Sequence, residues 1–399
     1  MNRRLIQLCG LLGEAGVDAA LLLHPRDVLY YAGTVRPASL LVVHRSDASR
    51  PGEPPVVPRA VLFVRRGLEY ARAEATVERV EPMRGFSSIT AAVAELGLEG
   101  GVLGAALDVT SARLYQRLKD AFVAWELADI SSLVLEQRAV KDEGEIVATR
   151  RAAAVADAGH QALPLVAAPG VSELELAAEV ERAMRLAGHE GFQPLRRPGA
   201  RGGGVLLTSG ENLAVRGGYG LVVTGAGLSP GSPYGVSRRN LREGDLIVLD
   251  TGSTCGGYTA DESRTFVLGQ PAEAQQALFA VTRQTEEAVL DLLRPGVPVA
   301  DVYAVAETVV AQGAPPFFAP GSLALPGFVG HGIGLELDEP PVLWPQDETC
   351  LRERMVLAIE VEVSVPAEGL MTKLEDTVVI RSGGCEVLTR APRKLIECG

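Results

Sequence analysis

The sequence predicts an α+β protein with two domains, a smaller α/β domain at the N-terminus and a larger one after it. Three observations predict this class. The chain has 399 residues, enough for two or three domains with sizeable cores. Short apolar strands alternate with helices in its first third. The rest contains two pairs of strands that carry acids, with long helices before and between them.

The N-terminal domain, residues 1–135, begins with a helix leading into a strand. Its apolar residues recur at helical spacing, and Glu14 and Asp18 interrupt them, so we do not interpret it as a signal peptide. No uninterrupted apolar stretch of the sequence is long enough to span a bilayer, and no membrane partner is expected. The domain is predicted to contain strands at 19–23, 40–44 and 60–64 and a helix at 112–122.

A linker at 136–144 is predicted to lead into the second domain, residues 145–399. This domain opens with an alanine-rich helix, and Pro169 then breaks the pattern. Ser172 is predicted as the N-cap of the next helix, and Glu175 completes a capping box. The long helices of this domain are predicted at 145–163, 273–293 and 299–312.

The first acidic hairpin carries Asp250 and Asp261. Asp250 ends the apolar run 246–249, and ten residues separate the two aspartates. If Cys255 and Gly256 form a two-residue turn, Asp250 lies directly opposite Asp261, with the Cβ atoms about 5 Å apart. We therefore expect both carboxylates on one face of the hairpin.

The second acidic hairpin carries Glu360 and Glu375. Glu360 follows the apolar run 355–359, and a four-residue loop at 366–369 would place it opposite Glu375. Like charges in opposite positions are unfavourable unless a cation lies between them. An acid on a buried strand is also costly without a partner, so both hairpins indicate a bound cation.

One histidine lies between the hairpins. His331 is flanked by glycines in the run 330–334, where the backbone allows close approach. Any one of these residues alone would more often cap a turn or form a hydrogen bond than bind a metal, but together they supply four carboxylates and an imidazole. That set suits two divalent ions that share carboxylates. The predicted two-metal hydrolytic site consists of Asp250, Asp261, His331, Glu360 and Glu375.

These motifs resemble those of the creatinase/prolidase/aminopeptidase P family. The resemblance covers the whole chain and implies a pita-bread catalytic domain preceded by a creatinase-type N-terminal domain. It also implies a metal-dependent enzyme and a homodimer. The residues that carry it are Asp250-Thr251-Gly252, GYTADESRTF at 257–266, GHGIGL at 330–335, Glu360, and LEDTV at 374–378.

The resemblance also implies a role for each ligand. Asp261 and Glu375 would bridge the two ions, Asp250 would complete one ion, and His331 with Glu360 would complete the other. Glu360 would handle the proton of a metal-bridging hydroxide that attacks the scissile carbonyl. The ligand set is compatible with manganese, cobalt, zinc or iron.

Three positions depart from the family pattern. Asp338 stands where many members have a histidine, Lys373 where an arginine is frequent, and Tyr234 lies near the position of another absent histidine. An ionised Asp338 only accepts hydrogen bonds, so it either binds a substrate amine or is a surface acid. Tyr234 either donates to the substrate or packs in its loop. Lys373 lacks the fork of arginine, and we expect it to form a salt bridge with a neighbouring acid.

The segment 214–237 is rich in glycine and leads towards Asp250. Compared with the family pattern it is long. We interpret it as a flap that shapes the substrate pocket, with a plain surface loop as the alternative.

Three functions are compatible with these observations. The first is an Xaa-Pro-type peptidase, a dipeptidase or an aminopeptidase, acting on short peptides. The second is a creatinase-like hydrolase or a lyase acting on a small zwitterionic compound. The third is a binding protein without turnover. The complete ligand set favours the peptidase.

Charge and cysteine content bear on partners and location. The net charge of −12 argues against nucleic acid, because phosphate binding needs a basic surface. Five cysteines, an odd number without metal-binding spacing, predict reduced thiols and a cytoplasmic location.

Overall fold

A computed structural model describes residues 3–44, 59–196, 204–218, 222–313 and 315–399. The chain divides into two compact units, Met1–Arg138 and Ala139–Gly399. The predicted N-terminal domain, 1–135, falls in the first unit. The predicted linker, 136–144, contains the end of one helix and the start of the next.

The first unit contains a six-stranded mixed sheet with the strand order β4-β3-β2-β1-β5-β6. The strands predicted at 19–23, 40–44 and 60–64 are confirmed, with small shifts of their ends. Three further strands escaped prediction because they are short and, in β4 and β6, carry charged residues. The strands are β1 (Ala19–Leu22), β2 (Ala38–Val43), β3 (Arg59–Val64), β4 (Arg79–Pro82), β5 (Gly101–Ala105) and β6 (Trp125–Asp129).

The helices of this unit include the two that the sequence predicts, α1 and α5. Leu5, Leu8 and Leu12 of α1 are buried at helical spacing, as an amphipathic helix requires. Ser111 caps α5 by accepting a hydrogen bond from the amide of Leu114. The helices are α1 (Arg3–Glu14), α2 (Pro25–Ala32), α3 (Leu68–Glu74), α4 (Phe86–Glu95), α5 (Ala112–Ala121) and α6 (Ser131–Ala139).

The second unit is built on a nine-stranded sheet. The main path has the order β11-β10-β12-β13-β9-β8-β7, and β14 and β15 pair with β13 and β9. The two acidic hairpins, β8–β9 and β12–β13, form the centre of this sheet. The strands are β7 (Leu206–Ser209), β8 (Leu246–Cys255), β9 (Tyr258–Leu268), β10 (Gly330–Gly332), β11 (Glu339–Val342), β12 (Val356–Val365), β13 (Leu370–Arg381), β14 (Gly384–Val387) and β15 (Ile396–Cys398).

Four helices cover one face of this sheet, and all four were predicted. Helices α7 and α8 pack on β8–β9, and α9 and α10 pack on β12–β13. The predicted capping box is confirmed, because Ser172 and Glu175 exchange hydrogen bonds. The helices are α7 (Glu143–Val166), α8 (Glu173–Leu186), α9 (Glu273–Leu292) and α10 (Val299–Gln312). No helix in the described ranges combines the length and apolar character needed to cross a bilayer.

The predicted register of the first hairpin is wrong. Asp250 lies opposite Ser263, and Asp261 lies opposite Gly252. The turn consists of Gly256 and Gly257, not of Cys255 and Gly256. Both glycines have positive φ angles, 62° and 78°. A two-residue turn of this kind needs positive φ at both central positions, which two glycines adopt without strain.

The predicted register of the second hairpin is confirmed. Glu360 lies opposite Glu375, and Val365 lies opposite Leu370. The four residues 366–369 form the connecting loop. The long paired strands therefore present two acids side by side.

Side-chain alternation separates the two faces of the central hairpins. Apolar residues of β8, β9, β12 and β13 pack against the helices, among them Leu249, Phe266, Ile359 and Val378. Because successive side chains point to opposite faces, the five predicted metal ligands lie on the face away from the helices.

Candidate metal centre

Three acids form a row across four neighbouring strands. Asp250 on β8 lies opposite Ser263 on β9, Ser263 lies opposite Glu375 on β13, and Glu375 lies opposite Glu360 on β12. Asp261 lies two residues before Ser263, so it points to the same face despite the changed register. Asp250 and Asp261 are therefore diagonal neighbours on adjacent strands rather than opposite residues, and their side chains still lie in one site.

His331 enters from β10, where it lies opposite Ala358, two residues before Glu360. The five residues form two overlapping groups, in each of which the ligand atoms lie within 4.8 Å of one another. One group is Asp261, His331 and Glu375, and the other is Asp250, Glu360 and Glu375. The group of His331 with Asp261 and Glu375 agrees with the resemblance, which implies that these two acids serve both ions. Glu360, which the resemblance adds to the ion of His331, lies in the other group. Glu375 belongs to both groups.

Two hydroxyl residues that the prediction missed support the ligands. Ser263 Oγ donates to Glu375 Oε2 at 2.7 Å. Thr377 Oγ1 accepts from the amide of Asp261 and donates to its carbonyl oxygen, both at 2.8 Å. Each lies two residues after a ligand on the same strand. Strand alternation was the signal in the sequence that would have found them.

The first group, Asp261, His331 and Glu375, contains two buried acids, and Lys373 contacts one of them, Glu375, at 3.4 Å. Burial, reinforced by Glu375 and Asp250, raises the pKa of Asp261 well above its usual value. Burial also raises the pKa of Glu375 to about 8, although Lys373 opposes the shift. Glu375 Oε1 is buried and has no hydrogen-bond partner. A divalent ion would satisfy this oxygen and favour both ionised acids, so these residues fit a metal.

The orientation of His331 fits the same role. Its Nδ1 lies 3.0 Å from the carbonyl oxygen of Gly332, which assigns the proton to Nδ1 and leaves Nε2 as the free ligand atom. Burial alone would lower the pKa of His331, but Asp338, Glu360 and Glu375 outweigh it and raise the pKa.

The second group, Asp250, Glu360 and Glu375, already contacts a cation of the protein. Lys373 Nζ lies 2.6 Å from Asp250 Oδ2 and 3.4 Å from Glu375 Oε2, and it also contacts Glu360 Oε1. The salt bridge predicted for Lys373 is confirmed. Burial alone would lower the pKa of Lys373, but the three acids raise it well above its usual value.

The two predicted substrate residues lie in different surroundings. Asp338 Oδ1 lies 3.7 Å from His331 Nε2, and its side chain is 50% exposed, so it borders the first group. Tyr234 is half-buried in the loop before β8, close to Gly217. It does not belong to either ligand group.

In the described part of the glycine-rich segment 214–237, Arg216 makes an ionic contact with the central sheet. Arg216 Nη2 lies 2.6 Å from Glu362 Oε1, and Glu362 lies two residues after Glu360 on β12. Residues 219–221 of this segment lie outside the described residues.

A second ionic cluster lies on the helix face, behind the ligands. Arg264 Nη2 lies 2.6 Å from Asp376 Oδ1 and 3.1 Å from Glu262 Oε1, and all three side chains are fully buried. Arg264 Nη1 also donates to the carbonyl oxygen of Glu375 at 2.7 Å. This guanidinium therefore holds the backbone of a predicted ligand from the opposite face.

Comparison with known proteins places the chain in a family. Residues 147–382 match the family model of metallopeptidase family M24, and residues 4–140 match that of the creatinase/prolidase N-terminal domain. The chain is 26% identical to an Xaa-Pro dipeptidase of Pyrococcus horikoshii over 401 aligned positions, covering 99% of each chain. It is 30% identical over 262 residues to the probable dipeptidase PepE of Mycobacterium tuberculosis, covering 65% of this chain and 60% of that protein.

A solved structure shows the same fold along nearly the whole chain. The Xaa-Pro dipeptidase from Bacillus anthracis superimposes with a TM-score of 0.81 at 25% identity, covering 99% of each chain. The predicted pita-bread domain and the creatinase-type N-terminal domain are confirmed, and so is the predicted metal-dependent peptidase. Membership of this metallopeptidase family implies divalent metal ions, and the two acidic groups are candidates to hold them. The chain belongs to metallopeptidase family M24 and carries a creatinase/prolidase N-terminal domain.

Proposed function

We propose that the protein is an Xaa-Pro dipeptidase whose five acidic and imidazole ligands hold two divalent ions. One observation carries this proposal, the convergence of two ligand groups that share Glu375 on one face of the sheet. The full-length similarity to an Xaa-Pro dipeptidase supports the substrate class.

The five ligands would be divided between the two ions as the family resemblance implies. Asp261 and Glu375 would contribute to both ions, Asp250 would complete one ion, and His331 with Glu360 would complete the other. When bound, the ions polarise the scissile carbonyl and lower the pKa of a water molecule. Manganese, cobalt, zinc and iron all suit this set of oxygen and nitrogen ligands.

Glu360 is the proposed proton-transfer residue. Its carboxylate belongs to the second group and lies opposite Glu375, where it would accept a proton from the attacking water at one oxygen. The same carboxyl group would return the proton to the leaving amine. The buried strand β12 holds it in place for both steps.

Asp338 and Tyr234 are the proposed substrate contacts. Asp338 borders the first group and is open to solvent, so its carboxylate would accept hydrogen bonds from the free α-amino group of a dipeptide. Tyr234 would donate from its phenol, and the segment 214–237 would form a flap attached to the sheet through Arg216.

We further propose a cytoplasmic homodimer. All five cysteines are free thiols, which suits a reducing compartment. The dimer rests on the family resemblance alone. Light scattering coupled to size-exclusion chromatography tests it, and a mass of one chain would contradict it.

A substrate screen with manganese tests the activity. The protein should cleave Xaa-Pro dipeptides faster than Xaa-Ala dipeptides or longer Xaa-Pro peptides. Glu360→Gln should lower kcat by about 10²–10⁴-fold, because it removes a general base. Metal content measured on the same samples separates loss of the base from loss of the ion.

Glu368→Gln is the matched control for this substitution. Glu368 is an exposed acid in the loop of the same hairpin. The kcat of the Glu368→Gln variant should therefore equal that of the unsubstituted protein. Full activity in Glu360→Gln, or no cleavage of any Xaa-Pro dipeptide by the metal-loaded protein, would overturn the proposal.

A further inference from the structure

Arg216 brings a positive charge to the ligand face of the sheet. Its Nη2 lies 2.6 Å from Glu362 Oε1, and its side chain is 43% exposed, whereas that of Glu362 is fully buried. We propose that Arg216 binds a carboxylate group of the substrate. This group is either the C-terminal carboxylate of a dipeptide or the side chain of an acidic N-terminal residue. The inference rests on the proposed peptidase function and adds a residue that selects among its substrates.

Glu362 fixes the position of this guanidinium relative to the metal ligands. It lies two residues after Glu360 on β12, so both side chains point to the same face. It also lies directly opposite Lys373, whose Nζ contacts Asp250 and Glu375. Two residues of a strand span about 7 Å. Arg216 is therefore held about that far along β12 from the proposed proton-transfer residue.

This separation suits a substrate carboxylate. In the proposed reaction the scissile carbonyl lies beside Glu360. The C-terminal carboxylate of a dipeptide lies one residue beyond that carbonyl, about 4 Å away. The side-chain carboxylate of an N-terminal aspartate lies at a similar distance, on the other side of the scissile bond. Either group therefore spans the gap between the scissile carbonyl and the guanidinium of Arg216.

The backbone on both sides of Arg216 is packed against the rest of the segment 214–237. Arg216 forms an antiparallel β-bridge with Thr224. Tyr234 approaches Gly217 so closely that a methyl group on residue 217 would lie 2.7 Å from Tyr234 Cβ. Arg216 thus belongs to the same packed part of the segment as Tyr234, the proposed phenol donor to the substrate.

A purely structural role would have Arg216 do no more than neutralise the buried Glu362. Arg264 on the opposite face has such a role, and it is fully buried together with its acids. Arg216 instead remains partly open to solvent beside the proposed site. Its planar guanidinium carries five N–H donors, a geometry that matches a carboxylate. A structural arginine affects all substrates alike, whereas a carboxylate-binding arginine affects only those that carry the group.

Two matched pairs of substrates test the inference on the manganese-loaded protein. Ala-Pro and its C-terminal amide differ only in the terminal carboxylate, and Asp-Pro and Asn-Pro differ only in the side-chain carboxylate. In one of these pairs, kcat/KM should be about 10-fold or more higher for the carboxylate than for the amide. In Arg216→Gln this ratio should fall below about threefold, and Arg216→Lys, which keeps the charge, should retain part of it.

Arg150→Gln is the matched control. The side chain of Arg150 is 36% exposed and lies 2.7 Å from Glu386 Oε1, but Arg150 belongs to α7, on the helix face. Both substrate ratios should be the same in this variant as in the unsubstituted protein. Ratios near one for both pairs in the unsubstituted protein would overturn the inference without any variant, and so would unchanged ratios in Arg216→Gln. No cleavage of any of the four substrates by the metal-loaded protein would instead overturn the proposed function.

Discussion

The two faces of the catalytic sheet carry buried acids but neutralise them differently. On the helix face, Arg264 contacts Asp376 and Glu262 with a guanidinium that is fully buried. On the other face, Lys373 contacts three of the four carboxylates, and one imidazole lies beside them. On the helix face, the buried guanidinium of Arg264 supplies a fixed positive charge. The ligand face has too little positive charge for its four carboxylates. This shortage makes the ligand face suitable for exchangeable metal ions.

A further buried acid on the helix face, Glu286, is balanced by a bound proton rather than by a cation. Glu286 on α9 is fully buried, and burial, followed by the nearby Asp376, raises its pKa well above the usual value. Both of its carboxyl oxygens lack a hydrogen-bond partner. A neutral acid is the less costly form there, so this face needs no external cation.

Removing Arg264 would take away the buried counter-charge of the helix face. We expect this substitution to have the largest effect on the free energy of unfolding. Arg264→Met leaves Asp376 and Glu262 buried without their counter-charge. We expect a loss of about 3–5 kcal/mol in the free energy of unfolding. Urea unfolding with and without manganese should show this loss under both conditions, because the guanidinium is not a metal ligand.

Arg393→Gln provides the control for this substitution. Arg393 lies 3.7 Å from Asp376 Oδ2, but its side chain is 38% exposed. Its removal should cost less than about 1 kcal/mol because water screens the pair. Equal losses in the two variants would contradict the contrast between a fixed buried charge and a solvated one.

His160 on the helix face should make the free energy of unfolding depend on pH, and this effect is intermediate in size. Burial, with a smaller contribution from Arg264, lowers the pKa of His160 from 6.5 to about 3. Below pH 6.5 the unfolded chain takes up a proton that the folded chain refuses until about pH 3. The stability that His160 contributes is therefore lost as the pH falls through this window, by about 2 kcal/mol at pH 5.

His160→Gln should remove this dependence. Glutamine retains hydrogen-bonding groups near Thr251 and the carbonyl oxygen of Glu262, which His160 contacts at 3.2 and 3.1 Å. The difference in unfolding free energy between pH 7 and pH 5 should be about 2 kcal/mol smaller in the variant. An unchanged difference would show that His160 does not titrate on unfolding in this range.

Asp338 lies at the solvent-exposed edge of the ligand face. Its substitution should have the smallest effect of those considered, a change in KM. Asp338→Asn should raise KM for Xaa-Pro dipeptides up to about fivefold with kcat unchanged, because an exposed ion pair contributes less than about 1 kcal/mol. Steady-state kinetics measure this change. Glu348→Gln, another exposed acid after β11, should leave KM unaltered, and equal KM values in both variants would contradict a substrate contact at Asp338.

Much of the site follows from local pattern. The sequence by itself determined the helices on the sheet, the capping box at Ser172, and the pairing of Glu360 with Glu375. These features depend on residues close together along the chain, where alternation, capping and loop length act directly. The acids themselves indicated a cation, since buried strands do not carry facing carboxylates without one.

Only the tertiary structure decided how those parts meet. It paired β9 with β13, so that Ser263 supports Glu375, and it grouped His331 with Asp261. It also placed the ammonium of Lys373 among three carboxylates, where the sequence indicated only some neighbouring acid. Several of these contacts join residues far apart along the chain, 112 positions for Ser263 and Glu375 and 123 positions for Lys373 and Asp250, and their geometry depends on the packing of the whole sheet. No local pattern of residues specifies that packing, so it is decided only when the complete unit folds.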